Sequence, residues 1–177
     1  MSSASFSTSP TRQIEAGDTP GFNDDQKSRR EAAENIAKGT PCFQVDGVIT
    51  ITTNTLATGN YAPFVPVESK DNSGGSIGDL EIRGVVPGQM VAMELKTGTL
   101  NPGDYVQVNT VNAGQIIPWA KTSNQRRYAR YFGREAGVFS RGNLAADFAE
   151  NLSVGVIPDQ PLTANEIGWF QLVEASD

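Results

Sequence analysis

The sequence predicts a mainly β protein, a small β-barrel or sandwich with an extended N-terminal arm containing one short helix. Three observations carry this. The 177 residues include 18 Gly and 10 Pro against a hydrophobic share of 38%, a mixture that suits many short strands and tight turns better than a helical bundle. Apolar and polar residues alternate in short runs, as in Tyr105-Val106-Gln107-Val108-Asn109, the period of a strand with one drier face. Turn signals recur between those runs, at Asp46-Gly47, Pro87-Gly88, Asn101-Pro102-Gly103-Asp104 and Asn112-Ala113-Gly114. In the third of these, proline pre-sets φ and glycine accepts the positive φ of a type II turn. The length fits one domain with an arm; residues 1–40 form the arm and residues 41–177 the β domain.

Within the arm, residues 1–22 are rich in Ser, Thr, Pro and Gly, with Phe6, Ile14 and Phe22 as the large apolar groups. Burial of three side chains does not offset the entropy of ordering such a stretch. It reads either as a floppy tail or as an arm that orders against a neighbouring subunit through Phe6, Ile14 and Phe22. Residues 23–38 carry the best helix pattern in the chain. Asn23 can cap, Gln26 follows three residues later, and Asp24 and Asp25 suit the positive end of the helix dipole. Ala32, Ala33, Ile36 and Ala37 make a thin apolar stripe, and Gly39 and Pro41 end the helix. Such a stripe needs a home on the chain's own sheet or on a partner, which makes Ile36 a candidate contact.

The β domain begins with a hairpin, Cys42 to Val45 and Val48 to Thr52 around Asp46-Gly47, a favoured two-residue type I′ turn. Residues 61–67 contain Pro63 and Pro66, which predicts an edge or irregular strand. Residues 69–78 read as an exposed loop. Leu80, Ile82, Gly84 and Val86 point inward along the next strand, and residues 90–95 return after Pro87-Gly88. Residues 105–109 and 115–119 form the next two strands. Over 121–152, Tyr128, Phe132 and Phe139 fit helix or strand, and 143–151 fits a short helix. Residues 152–157 and 167–173 complete the strands, with Trp169 the largest packing group. A sheet domain of this kind has edges to pair or protect, and open edges suit a protein that adheres to larger bodies.

Composition removes most chemistry. With no histidine, the commonest general base and metal ligand is missing. One cysteine, Cys42, builds neither a zinc site nor an internal disulfide, and it reads as a small core residue. No phosphate-binding or nucleophile-elbow motif occurs. The pairs Asp79 with Glu81 and Asp159 with Glu166 could serve a small histidine-free hydrolase, although acidic residues are mostly solvated. No cofactor or metal is expected. No apolar run is long enough to span a membrane, and the N-terminus lacks the apolar core of a secretory signal. Arg126, Arg127, Arg130, Arg134 and Arg141 crowd together with Tyr128, Tyr131 and Phe132. Such a cluster suits a protein interface, a surface of cation–π pairs or nucleic acid; the net charge of −6 weighs against the last.

The order of elements resembles the capsid decoration, or cement, proteins of tailed bacteriophages. The resemblance is carried by the hairpin at Phe43 to Ile51, the strand and turn at Ile82 to Val91, Leu-Asn-Pro-Gly-Asp-Tyr-Val at 100–106, and Ala-Asn-Glu-Ile-Gly-Trp-Phe-Gln-Leu-Val at 164–173. It implies a small barrel closed by the late strand, and a binding role without catalysis. It also implies a homotrimer on the exterior of an icosahedral capsid that bridges major capsid protein subunits, made in the host cytoplasm. The candidate contact residues are then Phe6, Ile14, Phe22, Ile36, Arg126, Arg127, Arg130 and Arg134. Another virion β-module, such as a tail, fibre or adhesin domain, is the alternative.

Overall fold

The computed structural model describes residues 15–19, 28–32, 34–52, 61–70, 81–121, 125–133 and 161–174. Twelve strands run through them in the order β1 (Ser28–Ala32), β2 (Cys42–Val45), β3 (Val48–Thr50), β4 (Tyr61–Pro66), β5 (Glu81–Val85), β6 (Met90–Glu94), β7 (Thr99–Leu100), β8 (Tyr105–Val108), β9 (Ile116–Pro118), β10 (Ala129–Gly133), β11 (Leu162–Thr163) and β12 (Ile167–Leu172). The first five close into a barrel ordered β1-β3-β2-β4-β5. A second sheet runs β6-β12-β10-β8-β9, and β7 pairs with β11.

Local chemistry explains the turns. Asp46 and Gly47 both have positive φ, 48° and 90°, so β2 and β3 join through the mirror-image turn whose twist matches a hairpin. Gly103 has φ 98°, and the Asp104 amide donates to the Asn101 carbonyl at 3.0 Å, as the turn signal there predicts. After Pro87-Gly88 the chain does not fold back on β5. It crosses to the second sheet, where β6 pairs with β12.

Two corrections concern β1 and β4. The helix expected over 23–38 is not what the described part of that segment forms. Ser28–Ala32 is a strand, parallel to β3 and antiparallel to β5, and Ile36 exchanges two main-chain hydrogen bonds with Lys70. Residues 23–27 lie outside the described residues, as do the short helix expected at 143–151 and the strand at 152–157. Tertiary pairing overrides helix propensity here, because β3 and β5 each need a neighbour. Nor is β4 an edge: it lies between β2 and β5. Pro66 is its last residue, and Pro63, opposite Phe43 within the β2 ladder, precedes the β5 ladder, which starts at Val65, so no β5 partner needs its missing amide.

Burial explains why the barrel strands are apolar on successive residues. Cys42, Phe64 and Ile82 point into the barrel with Ala32, Ile36 and Ile49. Their neighbours Phe43, Val65 and Val85 point out of it, into a larger core against Val91, Met93, Val106, Val108, Ile116, Tyr131, Phe170 and Leu172 of the second sheet. Strand side chains alternate faces, so β2, β4 and β5 each feed both cores. Gly84 is required by this arrangement: a Cβ there would come within 2.4 Å of the Phe64 ring.

Tyr128 joins the two halves. Its ring packs edge-on against Phe43, centroids 5.2 Å apart. Its hydroxyl accepts from the Cys42 amide at 3.0 Å and lies 2.8 Å from both the Cys42 and Phe64 carbonyls, to which it donates. Burial, with the Cys42 thiol adding to it, pushes this hydroxyl well above the ordinary phenol range, so it stays a neutral donor.

The expectation of open sheet edges is also corrected. The barrel is closed. On the free side of β6, the Gly17 amide donates to the Ala92 carbonyl and the Ala92 amide to the Asp18 carbonyl, each at 2.8 Å. At β9, Leu95 bridges Ile116 in parallel, and the Lys96 amide donates to the Ile116 carbonyl at 3.0 Å. The described parts of the first forty residues therefore pack on the chain's own body, because closure gives their backbone groups partners there.

Two outcomes test this account. Tyr128→Phe strands buried main-chain groups and should cost about 1–3 kcal/mol, lowering the urea midpoint without changing the m-value. Gly84→Ala overpacks the barrel and should cost about 1–3 kcal/mol in the same assay.

Candidate interaction surface

Alternation along β10 sets the outer face of the second sheet. Ala129, Tyr131 and Gly133 are buried, whereas Arg130 and Phe132 are exposed. Arg130 lies opposite Tyr105 on β8 and Gln171 on β12, so these side chains share the outer face. The Arg130 guanidinium lies 5.7 Å from the centroid of the Phe132 ring, and its Nε donates to the Gly103 carbonyl at 3.3 Å. Phe132 remains 43% exposed.

One side of this face holds a cation against two rings. The Arg127 guanidinium is 4.4 Å from the Tyr105 ring and 4.6 Å from the Trp119 ring. Contacts of this kind contribute about 0.5–2 kcal/mol, more as water is excluded. The hairpin of β8 and β9 aligns the two rings: the Trp119 amide donates to the Tyr105 carbonyl at 2.9 Å, and the indole nitrogen donates to the Gln125 carbonyl, also at 2.9 Å. The buried Nε of Arg127 and Oε1 of Gln125 have no hydrogen-bond partner among the described residues.

Of the residues expected to bind a partner, Arg127 and Arg130 come together on this face, and Arg126, next to Arg127 in sequence, is half-buried. Ile36 is 1% exposed and belongs to the barrel core. Phe6, Ile14, Phe22 and Arg134 lie outside the described residues. Tyr128 and Tyr131, read from sequence as companions of the arginines, both turn inward. Tyr105 and Trp119 take that place instead. Their signal was the strand pattern flanking Asn112-Ala113-Gly114, which puts both on one hairpin, but the register that aligns them with Arg127 is not a local property.

An open groove of about 490 Å³ lies elsewhere, lined by Arg29, Glu68, Lys70, Glu81 and Arg83. Its carboxylates are already engaged. Glu81 meets Arg29 at 3.4 Å. Glu68 meets the Arg83 side chain at 3.3 Å and accepts the Arg83 amide at 3.0 Å. Partial desolvation works to raise the Glu68 pKa, but the Arg83 hydrogen bonds and charge, with Lys70 adding, hold it below its ordinary value. It is an ionised partner, not a proton donor. Of the other carboxylates considered, Glu166 accepts the Thr163 amide at 2.8 Å and so ties the turn before β12; Asp79 and Asp159 lie outside the described residues. Burial, with Glu34 adding, pushes the Cys42 thiol far up, which suits a core residue and not a nucleophile. Among the described residues, no group of three Asp, Glu or Cys could hold a metal ion, and no helix is long and apolar enough to cross a membrane.

The Glu68 shift has a definite sign. A folded pKa below the unfolded one contributes stability above the unfolded value, near 4.5, and that contribution is lost as pH falls through the folded value. Glu68→Gln should therefore cost about 0.5 kcal/mol at pH 7, and urea titrations should show the difference from wild type shrinking below about pH 4.

Compared by sequence, the chain matches no family profile and no curated protein. Compared by structure, it is similar to a chain of the capsid of Myoviridae Phage XM1, with a TM-score of 0.56 and 10% identity over 92% of both chains. At that identity the likeness is one of fold, and it extends over nearly the whole of each chain.

Proposed function

We propose that this protein is a structural component of a virion that binds the outside of an icosahedral capsid, as a homotrimer, and cements neighbouring major capsid protein subunits. The observation that carries the reading is the fold shared, end to end, with a chain of a phage capsid. Equal coverage of the two chains means that they are of similar length, so the likeness is between two small chains, not between this chain and one domain of a larger subunit. The residues support a binding role. The sequence has no histidine, the groove carboxylates are held in ion pairs, and the thiol is buried. The outer face of the second sheet offers Arg127, Arg130, Phe132, Tyr105 and Trp119, residue types favoured at interfaces.

A protein that binds only the assembled shell stabilises it by mass action, by about 2.7 kcal/mol per site at a free concentration one hundred times Kd. Copies joined to one another add avidity.

The test is imaging and heating of particles made with and without the chain. Density on the exterior, bridging major capsid subunits, and a lower rupture temperature when the chain is missing are the expected results. Density confined to a tail or fibre, or particles that neither contain the chain nor lose robustness without it, would overturn the proposal.

A further inference from the structure

β1 conflicts with its own sequence. Residues 23–38 carry a helix cap, acidic residues at the start and a run of good helix formers, yet Ser28–Ala32 is held as a strand. Local preference opposes the place this segment takes in the fold, a conflict that weakens its hold there. Side chains add one part-buried contact, Arg30 Nε donating to Gln44 Oε1 at 3.0 Å, and little else. Of the five residues, Ala32 alone is buried, and the Arg29–Glu81 pair is exposed on both sides, where such pairs contribute little.

What β1 supplies is backbone. It pairs at four positions with β5, from Ser28↔Gly84 to Glu31↔Glu81, and at two with β3, Glu31↔Val48 and Ala32↔Ile49. Without it, β3 and β5 become two facing edges with Ile49 and Ile82 between them. The barrel thus needs a strand in that slot, while this strand is weakly bound to it. The next anchor along the chain is firm: Ile36 is buried and makes two hydrogen bonds with Lys70. Glu34 is held as well, its carboxylate accepting from the Ile51 amide at 2.8 Å and the Thr50 hydroxyl at 3.1 Å.

We propose that β1 is an exchangeable strand whose acceptor is a second copy of this chain: Ser28–Ala32 of one copy fills the slot between β3 and β5 of another, in the same register. The chain up to Ala32 crosses between copies, carrying residues 15–19, whose hydrogen bonds to Ala92 and whose Asp18–Lys38 ion pair are remade on the acceptor, and the chain from Glu34 onward stays with its own barrel. Every contact of the closed form is remade between copies, so the exchange costs little and depends on concentration, as domain swapping does. A second copy is the favoured occupant because the slot's register is already matched to this sequence, with the small side chain of Ala32 at the buried position. The inference concerns the free protein and does not depend on the capsid reading.

Arg29 and Arg83 face each other across the β1–β5 ladder, close enough for a disulfide between cysteines placed there. Full-length Arg29→Cys and Arg83→Cys chains, prepared separately, are mixed and oxidised at low and high protein concentration. Exchange predicts disulfide-linked dimers in the mixture well above those in either variant alone, increasing with concentration. The double variant R29C/R83C should likewise give dimers that increase with concentration. Glu31→Cys with Glu81→Cys, facing positions on the same ladder, must give the same result, and it guards against a fold defect in one pair. Closure within single chains at every concentration, with no excess dimer in either mixture, would overturn the proposal whatever particle the protein is found on.

Discussion

The hydroxyl of Tyr128 meets the main chain of Cys42 and Phe64, where β2 and β4 run side by side. Most of the architecture depends on that meeting. Each sheet alone would leave one apolar face in water: the barrel through Phe43, Val65 and Val85, the second sheet through its inward row of Val, Met, Leu and aromatic side chains. Stacking them removes both faces from water, and apolar burial of this kind supplies most of the stabilisation. Burial alone is not directional. The Tyr128 hydrogen bonds select one position of sheet against barrel, since any slip leaves buried polar groups without partners.

The same construction bears on function. Potential reactive groups have been drawn into structural roles: the thiol lies inside the barrel, Glu166 ties a turn, and Glu68 and Glu81 neutralise arginines. The outer face of the second sheet keeps cations and aromatic rings near the surface, residue types favoured at protein interfaces. The sequence resemblance to cement proteins rested on the turn before Tyr105 and the strand at 167–172. In the fold these lie in one sheet with β10 between them.

What could be read from the sequence was local. The hairpin at Asp46-Gly47 and the turn at Asn101 to Asp104 were legible because turn chemistry acts over four residues. The strand holding Trp169 was legible because its apolar run is bounded by turn residues. The misreadings came from distant partners. A helix was expected over 23–38 from local propensity, but two strands tens of residues away decide the outcome at 28–32. Pro63 and Pro66 suggested an edge because nothing local says where a ladder stops. The role of Tyr128 was hidden because its acceptor lies 86 residues away. The seat of Arg127 was hidden because it depends on which residues of two strands lie opposite each other. The expected stickiness of sheet rims failed for the same reason: closure is a property of the whole chain.

The position of β12 has a consequence for synthesis. This strand lies between β6 and β10 although it is the last of the described strands to leave the ribosome. Until residue 172 has emerged, β6 on one side and β10, β8 and β9 on the other have no common ladder, and the larger core has no floor. The nascent chain must therefore hold a finished hairpin and an incomplete sheet from the emergence of β10 until residue 172 follows. Assembly then waits on one late insertion, which places the chain among slow, non-local folders. Chaperone shielding of that half-built sheet is where a producing cell would have most influence on yield.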